Sequence, residues 1–422
     1  MRAKQQTTKT SPLLGGSLKI LSANIYFFIA SYIVIIVIAR SLQISDFGLY
    51  ALVISVLAWV ELILANGFNA PYIKSLSTRN YYSFRRISIF HLTGSILTVL
   101  FLFFGADKLS MIFGNERLGI LFKFAALDII PFCWFQRNLV FLNVHGKYWS
   151  FFFSLSVYST FKAFFMISGV LIFASVEAAI LGMVLGSVMA TLFSWVMTVR
   201  SSKNPLTDKP GQNYYHTRTN LGAGIMLTAG IGIFMAADIW IIQGIGASSH
   251  TLGLYGAAHN LSKTLYLGAF ALILPLLPAF ARHGSFQAAY KEEKQLRWVI
   301  WLLAGGILAV LAVFLLGAPI IMSVLFGREY LQAAGYLYVL APVHSIVAAA
   351  LIINQIRFQI GHEQNAGLNT FLTSLVFMPL AFAAGIFFGQ IAVPVCLGIM
   401  GLYLFLSGVV RLLKTSVRLR NV

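Results

Sequence analysis

The 422-residue sequence predicts an all-α polytopic membrane protein with about twelve transmembrane helices in two parallel six-helix repeats. Three observations carry that expectation. The first is composition: 59 % of residues are hydrophobic and only 10 % charged, with a mean hydropathy of +0.84. A typical soluble domain carries about 25 % charged residues, so this chain has too little polar surface to cover its apolar bulk in water. The second is that long apolar runs alternate with short polar connections. The third is a repeat. Arg40-Ser-Leu-Gln-Ile-Ser-Asp-Phe-Gly-Leu-Tyr-Ala51 is echoed about 205 residues later by Gly246-Ala-Ser-Ser-His-Thr-Leu-Gly-Leu-Tyr-Gly-Ala257. Ile112-Phe-Gly-Asn-Glu-Arg-Leu118 is echoed by Leu325-Phe-Gly-Arg-Glu-Tyr-Leu331, and Val144-His-Gly146 by Gln359-Ile-Gly361.

Hydropathy places the spans at 18–39, 47–69, 87–104, 118–142, 150–174, 177–199, 221–245, 252–281, 297–317, 331–359, 366–388 and 391–413. Each is close to the ~20 residues that cross a hydrocarbon core. Residues 1–17 form a polar, basic N-terminal tail with no apolar core, and so do not read as a signal peptide. The N-terminal lobe then covers 18–199, a linker 200–220, the C-terminal lobe 221–413 and a tail 414–422. The linker holds Asn204-Pro205 and Lys209-Pro210-Gly211, which disfavour helix and suit a surface connection. Six spans in each half means that both halves enter the membrane in the same sense, as parallel repeats. Two copies of one membrane unit imply a transporter whose substrate passes between them.

Orientation follows from the basic residues. Most of the 30 Lys and Arg fall on one side: in both tails, the linker, and the connections holding Lys74, Arg85, Arg86, Arg137, Lys147, Arg282, Lys291 and Arg357. Arg40, Lys108, Arg117 and Arg328 lie on the other. Positive-inside bias therefore puts both termini in the cytoplasm. The net charge of +18 is largely topological, and its spread over many short segments does not describe a nucleic-acid-binding face. The opposite loops are too short to hold an extracellular catalytic domain.

Cys133 and Cys396 fall inside spans and predict neither a disulfide framework nor a metal site. The eight histidines show no ligand spacing, so no metal and no cofactor is expected. No Walker-type glycine loop is present for ATP drive.

An ionised side chain near mid-bilayer costs at least ~2.5–3.5 kcal/mol unless it pairs or faces water. Lys162 and Lys263 lie near the middle of spans five and eight, in different halves. They line a cationic cavity, or else they snorkel or form structural ion pairs. Asp238, outward of centre in span seven, is either a proton- or cation-responsive carboxylate or a partner for a nearby lysine. Glu61 in span two has the same two readings and shares its span with Asn66 and Asn69. Lys123 and Asp128 occupy the outer part of span four. Five residues apart, they sit about 140° round the helix and do not neutralise each other. Arg40 either guides an anionic headgroup or anchors span one at the interface. Arg137 snorkels to the cytoplasmic boundary. Span seven is rich in glycine and several spans contain proline, which suits bending or close packing.

Ala39-Arg40-Ser-Leu…Phe47-Gly48-Leu49-Tyr50, then Asn66-Gly67-Phe68…Ser75-Leu76-Ser77, resembles the opening of Wzx-type bacterial polysaccharide-repeat flippases. These belong to the superfamily that also holds multidrug-and-toxin extruders. Ala237-Asp238, Gly253-Leu254-Tyr255-Gly256, Leu274-Pro275-Leu-Leu-Pro278 and Leu325-Phe326-Gly327 extend the resemblance into the second half. Ile239 follows the aspartate where family members often carry a basic residue.

The resemblance implies two six-helix lobes forming a V around a cationic cavity in the bacterial inner membrane. It implies an undecaprenyl-pyrophosphate-linked oligosaccharide as cargo, with Lys162, Lys263, Lys123 and Arg40 as candidates to bind it. A proton or sodium ion would couple at Asp238, Glu61 or Asp128, and a polysaccharide polymerase and a chain-length regulator are expected partners beside the membrane lipids. A cation-coupled multidrug exporter is the alternative; it calls for an acidic, aromatic cavity.

Overall fold

The computed structural model describes residues 12–78, 80–202, 221–273, 280, 286–287, 290 and 294–418. The predicted linker therefore lies mostly outside the described residues, as do most of the N-terminal tail and the last residues of the chain. The described elements are all helical. In the first half they are α1 (Pro12–Ser41), α2 (Ile44–Ser77), α3 (Tyr81–Ile112), α4 (Arg117–Ala126), α5 (Ile129–Val144), α6 (Tyr148–Phe173) and α7 (Val176–Ser202). In the second they are α8 (Leu221–Gly244), α9 (Ser249–Ser262), α10 (Thr264–Ile273), α11 (Lys294–Leu325), α12 (Ala333–Gln359), α13 (Glu363–Phe388) and α14 (Ala392–Arg418). Among the described residues, eleven stretches are long and apolar enough to cross a membrane. They match eleven of the twelve expected spans.

The twelfth, span eight, begins earlier than expected and divides at Lys263 into α9 and α10, with 274–279 outside the described residues. No proline or glycine stands at this break. Instead Ser262 Oγ donates to the His259 carbonyl and Thr264 Oγ1 to that of Leu261, at 3.0 and 2.7 Å. Side chains that bond back onto the preceding turn compete with the helical ladder and bend it. Span four is also interrupted, between α4 and α5. Pro131 lacks the N–H that would reach the Leu127 carbonyl, and Leu127 and Asp128 form tighter i→i−3 bonds to Phe124 and Ala125.

The sequence repeat is a repeat of helix ends. Gly114 and Gly327, at φ 66° and 112°, follow α3 and α11 in the matched Phe-Gly pairs. Gly146 and Gly361 do the same after α5 and α12, at 67° and 95°. A positive φ just past a helix end favours glycine, which has no Cβ to clash. The conserved spacing between halves thus encodes where each helix stops.

Inside the bundle, α6 packs along α1 and α7, α8 along α13, and α12 along α14. The halves meet where α2 crosses both α8 and α9. Burial follows this arrangement: 72 % of the most apolar stretch of α8 and 61 % of that of α2 is enclosed, against 11 % for α11. The enclosed helices are those that border the space between halves, while α11 turns leucine, valine and tryptophan outward, as a lipid-facing helix does.

Candidate functional site

A cavity of about 460 Å³ opens between the halves, walled by α1, α2, α5 and α6 and closed on the far side by the α9–α10 break. Most of its wall is apolar. Its ionisable side chains are Glu61, Lys162 and Lys263, with Asn66, Gln136, Tyr158 and Asn260 adding hydrogen-bonding groups. The structure brings Lys162 and Lys263, from opposite halves, to the wall of one cavity.

The two amines differ in their surroundings. Lys162 Nζ lies 3.1 Å from Asp128 Oδ2 and donates to the Tyr158 hydroxyl at 2.7 Å. It also sits near the faces of Tyr158 and Phe132, 4.9 and 5.9 Å from the ring centroids. Asp128 is fully buried behind it, at the α4–α5 interruption, with Oδ1 unpartnered. Glu61 is 8 % exposed, and its carboxyl has Asp128 and Lys162 as its electrostatic neighbours. The Lys263 side chain makes no hydrogen bond or ion pair among the described residues. With Asp128 behind the wall, two carboxyl groups accompany the two amines at the chamber. The Tyr32 hydroxyl donates to the Asn260 carbonyl at 3.1 Å, tying α1 of the first half to the turn before that break.

Lys123 and Arg40 lie elsewhere. Lys123 pairs with Asp107 at 2.8 Å, outside the chamber. Asp128 and Lys123 thus each take a different partner, as their angular separation on span four requires. Arg40 Nε donates to the Leu325 carbonyl at 2.8 Å, and its guanidinium also bonds the Val324 carbonyl. It joins the outer end of α1 to the C-terminus of α11, where unsatisfied carbonyls and the helix dipole attract a cation. In the fold Arg40 is a strap between halves.

Asp238 is outside the chamber too, in a fully buried cluster of the second half. Its Oδ2 accepts from the Tyr255 hydroxyl at 2.6 Å and bonds His259 Nδ1 at 2.9 Å. The His344 ring stands 5.4 Å from that of His259, and its Nδ1 bonds Ser262 Oγ at 2.7 Å. Sequence reading gave the histidines no role, because His259 and His344 are 85 positions apart on different spans. The legible signal was Asp238 with His259 in neighbouring spans. Ligating atoms of Asp238, His259 and His344 fall within 4.8 Å of one another. Both Nδ1 atoms are engaged in hydrogen bonds, to Asp238 and to Ser262, while both Nε2 atoms have no partner among the described residues.

A family profile described as polysaccharide biosynthesis protein matches residues 37–335, most of the chain and both halves of the chamber. The chain belongs to that family. Its fold is that of the multidrug-and-toxin extruders of the MOP superfamily. An inward-facing multidrug resistance MATE transporter of that superfamily aligns at TM-score 0.64 and 15 % identity, over 91 % of this chain and 94 % of its own. The outward-facing form of such a transporter aligns at 0.64 and 15 %, over 97 % and 99 %. A MOP-superfamily transporter from Pyrococcus furiosus, described as having a binding pocket of reverse polarity, aligns at 0.62 and 15 %, again over 97 % and 99 %. No curated protein sequence matches the chain. The chain is thus a polysaccharide-biosynthesis family member with a multi-pass, helical MATE-like fold.

Proposed function

We propose that this protein moves undecaprenyl-pyrophosphate-linked oligosaccharide repeat units from the cytoplasmic to the periplasmic leaflet of a bacterial inner membrane. The observation that supports the reading best is that Lys263, without a side-chain partner among the described residues, lines the same chamber as Lys162 in a polysaccharide-biosynthesis family member. A pyrophosphate and sugar head is too polar to cross hydrocarbon unaided. A chamber with one available amine offsets its charge, and Asn66, Gln136, Tyr158 and Asn260 offer hydrogen bonds to sugar hydroxyls. The prenyl chain stays in lipid. Residues 18–199 and 221–413 act as two lobes that alternately open to either side, with both termini cytoplasmic as the basic residues indicate. A proton or sodium ion bound at Asp238, Glu61 or Asp128 biases the two states. A polymerase and a chain-length regulator receive the unit outside.

Glu61 and the aromatic wall favour a second reading, a cation-coupled exporter of small cationic molecules. Deletion of the gene separates the two. The flippase reading expects lipid-linked glycan to build up in the cytoplasmic leaflet, to be cleared by the wild-type gene and not by Lys263→Ala at normal membrane abundance. Unchanged glycan with raised sensitivity to cationic drugs supports the exporter.

A further inference from the structure

We propose that the His259–His344 pair beside Asp238 is the proton-binding site of the transport cycle, and that Ser262 passes its protonation state to Lys263 in the chamber. The proposal rests on the reading that the chamber binds an anionic headgroup. It names the ion, the site and the link, all of which that reading leaves open.

Three features of the cluster carry it. First, it is built for a proton. Asp238 and His344 are 0 % exposed and His259 1 %, and Asp238 Oδ1 and both imidazole Nε2 atoms have no hydrogen-bond partner. A carboxylate sealed in apolar surroundings calls for a neighbouring positive charge. His259 Nδ1, facing an acceptor-only carboxylate oxygen at 2.9 Å, is the atom placed to supply it. Sodium is held by oxygen ligands, whereas two imidazoles offer nitrogen, the atom that takes a proton.

Second, the groups that face the pair come from every element around it. They are Asp238 on α8, Tyr255 on α9, Lys263 at the break, Tyr266 on α10 and Tyr336 on α12. Among the described residues there, one carboxyl group and one amine stand beside the two imidazoles and three phenols. A proton arriving on either imidazole adds one positive charge to this set, beside the Lys263 amine.

Third, the hydrogen bonds supply a link. Ser262 Oγ lies 2.7 Å from His344 Nδ1 and 3.0 Å from the His259 carbonyl. That same carbonyl accepts the Lys263 backbone N–H at 3.0 Å. When His344 Nδ1 carries no proton, it competes with the His259 carbonyl for the single Ser262 hydroxyl hydrogen. When Nδ1 is protonated it donates to Ser262 Oγ, and the serine hydrogen goes to the carbonyl. Protonation therefore strengthens the Ser262 bond to the carbonyl that also receives the Lys263 N–H, next to the chamber. No covalent bond changes; one proton is taken up and one hydroxyl rotates.

The test uses the full chain in nanodiscs, with inorganic pyrophosphate as the chamber probe. Calorimetry in buffers of different ionisation enthalpy reports protons taken up on binding. The wild type is expected to take up about one proton more than the His259→Gln/His344→Gln variant. Its affinity should weaken by up to about tenfold per unit rise in pH, a slope the double variant loses. Comparing the two proteins cancels the proton chemistry of pyrophosphate itself. Ser262→Ala should keep a titrating imidazole, seen by 15N-histidine NMR between roughly pH 5 and 8, and lose most of the slope. Equal proton uptake in wild type and double variant overturns the proposal and leaves the headgroup reading intact. A full slope in Ser262→Ala overturns the serine link. If pyrophosphate fails to bind the wild type at any pH, the headgroup reading fails. The NMR titration then decides the proton site by itself, and two imidazoles silent across that range overturn it.

Discussion

Gly48 and Gly253, the central glycines of the two copies of the Gly-Leu-Tyr motif, touch each other across the seam between halves. A Cβ on Gly48 would lie 2.7 Å from the Gly253 nitrogen, and one on Gly253 would overlap the Ile44 carbonyl oxygen. The repeat brings its own two copies face to face, with backbone against backbone, where the first turns of α2 and α9 cross. The Tyr330 hydroxyl donating to the Ala39 carbonyl and Gln243 Nε2 donating to the Phe113 carbonyl close the same end.

Gly253→Ala is therefore expected to wedge this seam. Overpacking of a tight contact costs about 1–3 kcal/mol, enough to shift a two-state equilibrium roughly five- to hundredfold. A cysteine introduced at Ser249 should become more reactive to a membrane-impermeant thiol reagent added outside, in Gly253→Ala compared with the parent. Gly268→Ala, where added bulk meets nothing within 4 Å, is the control and should leave labelling unchanged.

Lys162 and Asp128 should behave as a buried pair. Removing one partner strands the other charge, a loss of about 3–5 kcal/mol, whereas replacing both by apolar residues of similar size is far milder. Thermal unfolding in detergent should rank Lys162→Met and Asp128→Leu well below the wild type, and the double variant close to it. A double variant as unstable as the singles contradicts the pairing.

Lys123→Ala should be nearly silent, because the Asp107 side chain opposite it is 64 % exposed and an exposed pair contributes about 0–1 kcal/mol. Surface glycan and melting temperature should both match the wild type within error.

Arg40→Ala leaves the Val324 and Leu325 carbonyls at the α11 terminus without their donor, at about 1–3 kcal/mol. Its melting temperature should fall, and pyrophosphate binding at matched temperature should hold. A selective loss of binding with intact stability would instead make Arg40 a headgroup contact.

Much of this was legible in the sequence, for physical reasons that differ from residue to residue. Composition and span length fix a membrane bundle, because lipid demands about twenty apolar residues per crossing. The repeat was visible because turns need glycine at fixed places, as at Gly114 and Gly327. Lys162 and Lys263 stood out because mid-bilayer amines are costly. What escaped was partnership. Asp128 meets Lys162 from 34 residues away, and Asp238 meets His259 and, through that ring, His344. Side chains on different helices carry no spacing that marks them as neighbours. The Lys263 break was equally hidden, since Ser262 and Thr264 bond back onto the preceding turn there and no proline or glycine marks the place.

Purified protein reconstituted into vesicles, with polyprenyl-pyrophosphate-linked glycan loaded in one leaflet and an enzyme that modifies only the other, reads translocation itself. Glycan should reach the enzyme with the wild type and at near-background rate with Lys263→Ala of equal fold and abundance. Equal rates for vesicles with and without the wild-type protein, or full activity in Lys263→Ala, would contradict transport of an anionic lipid head past that amine.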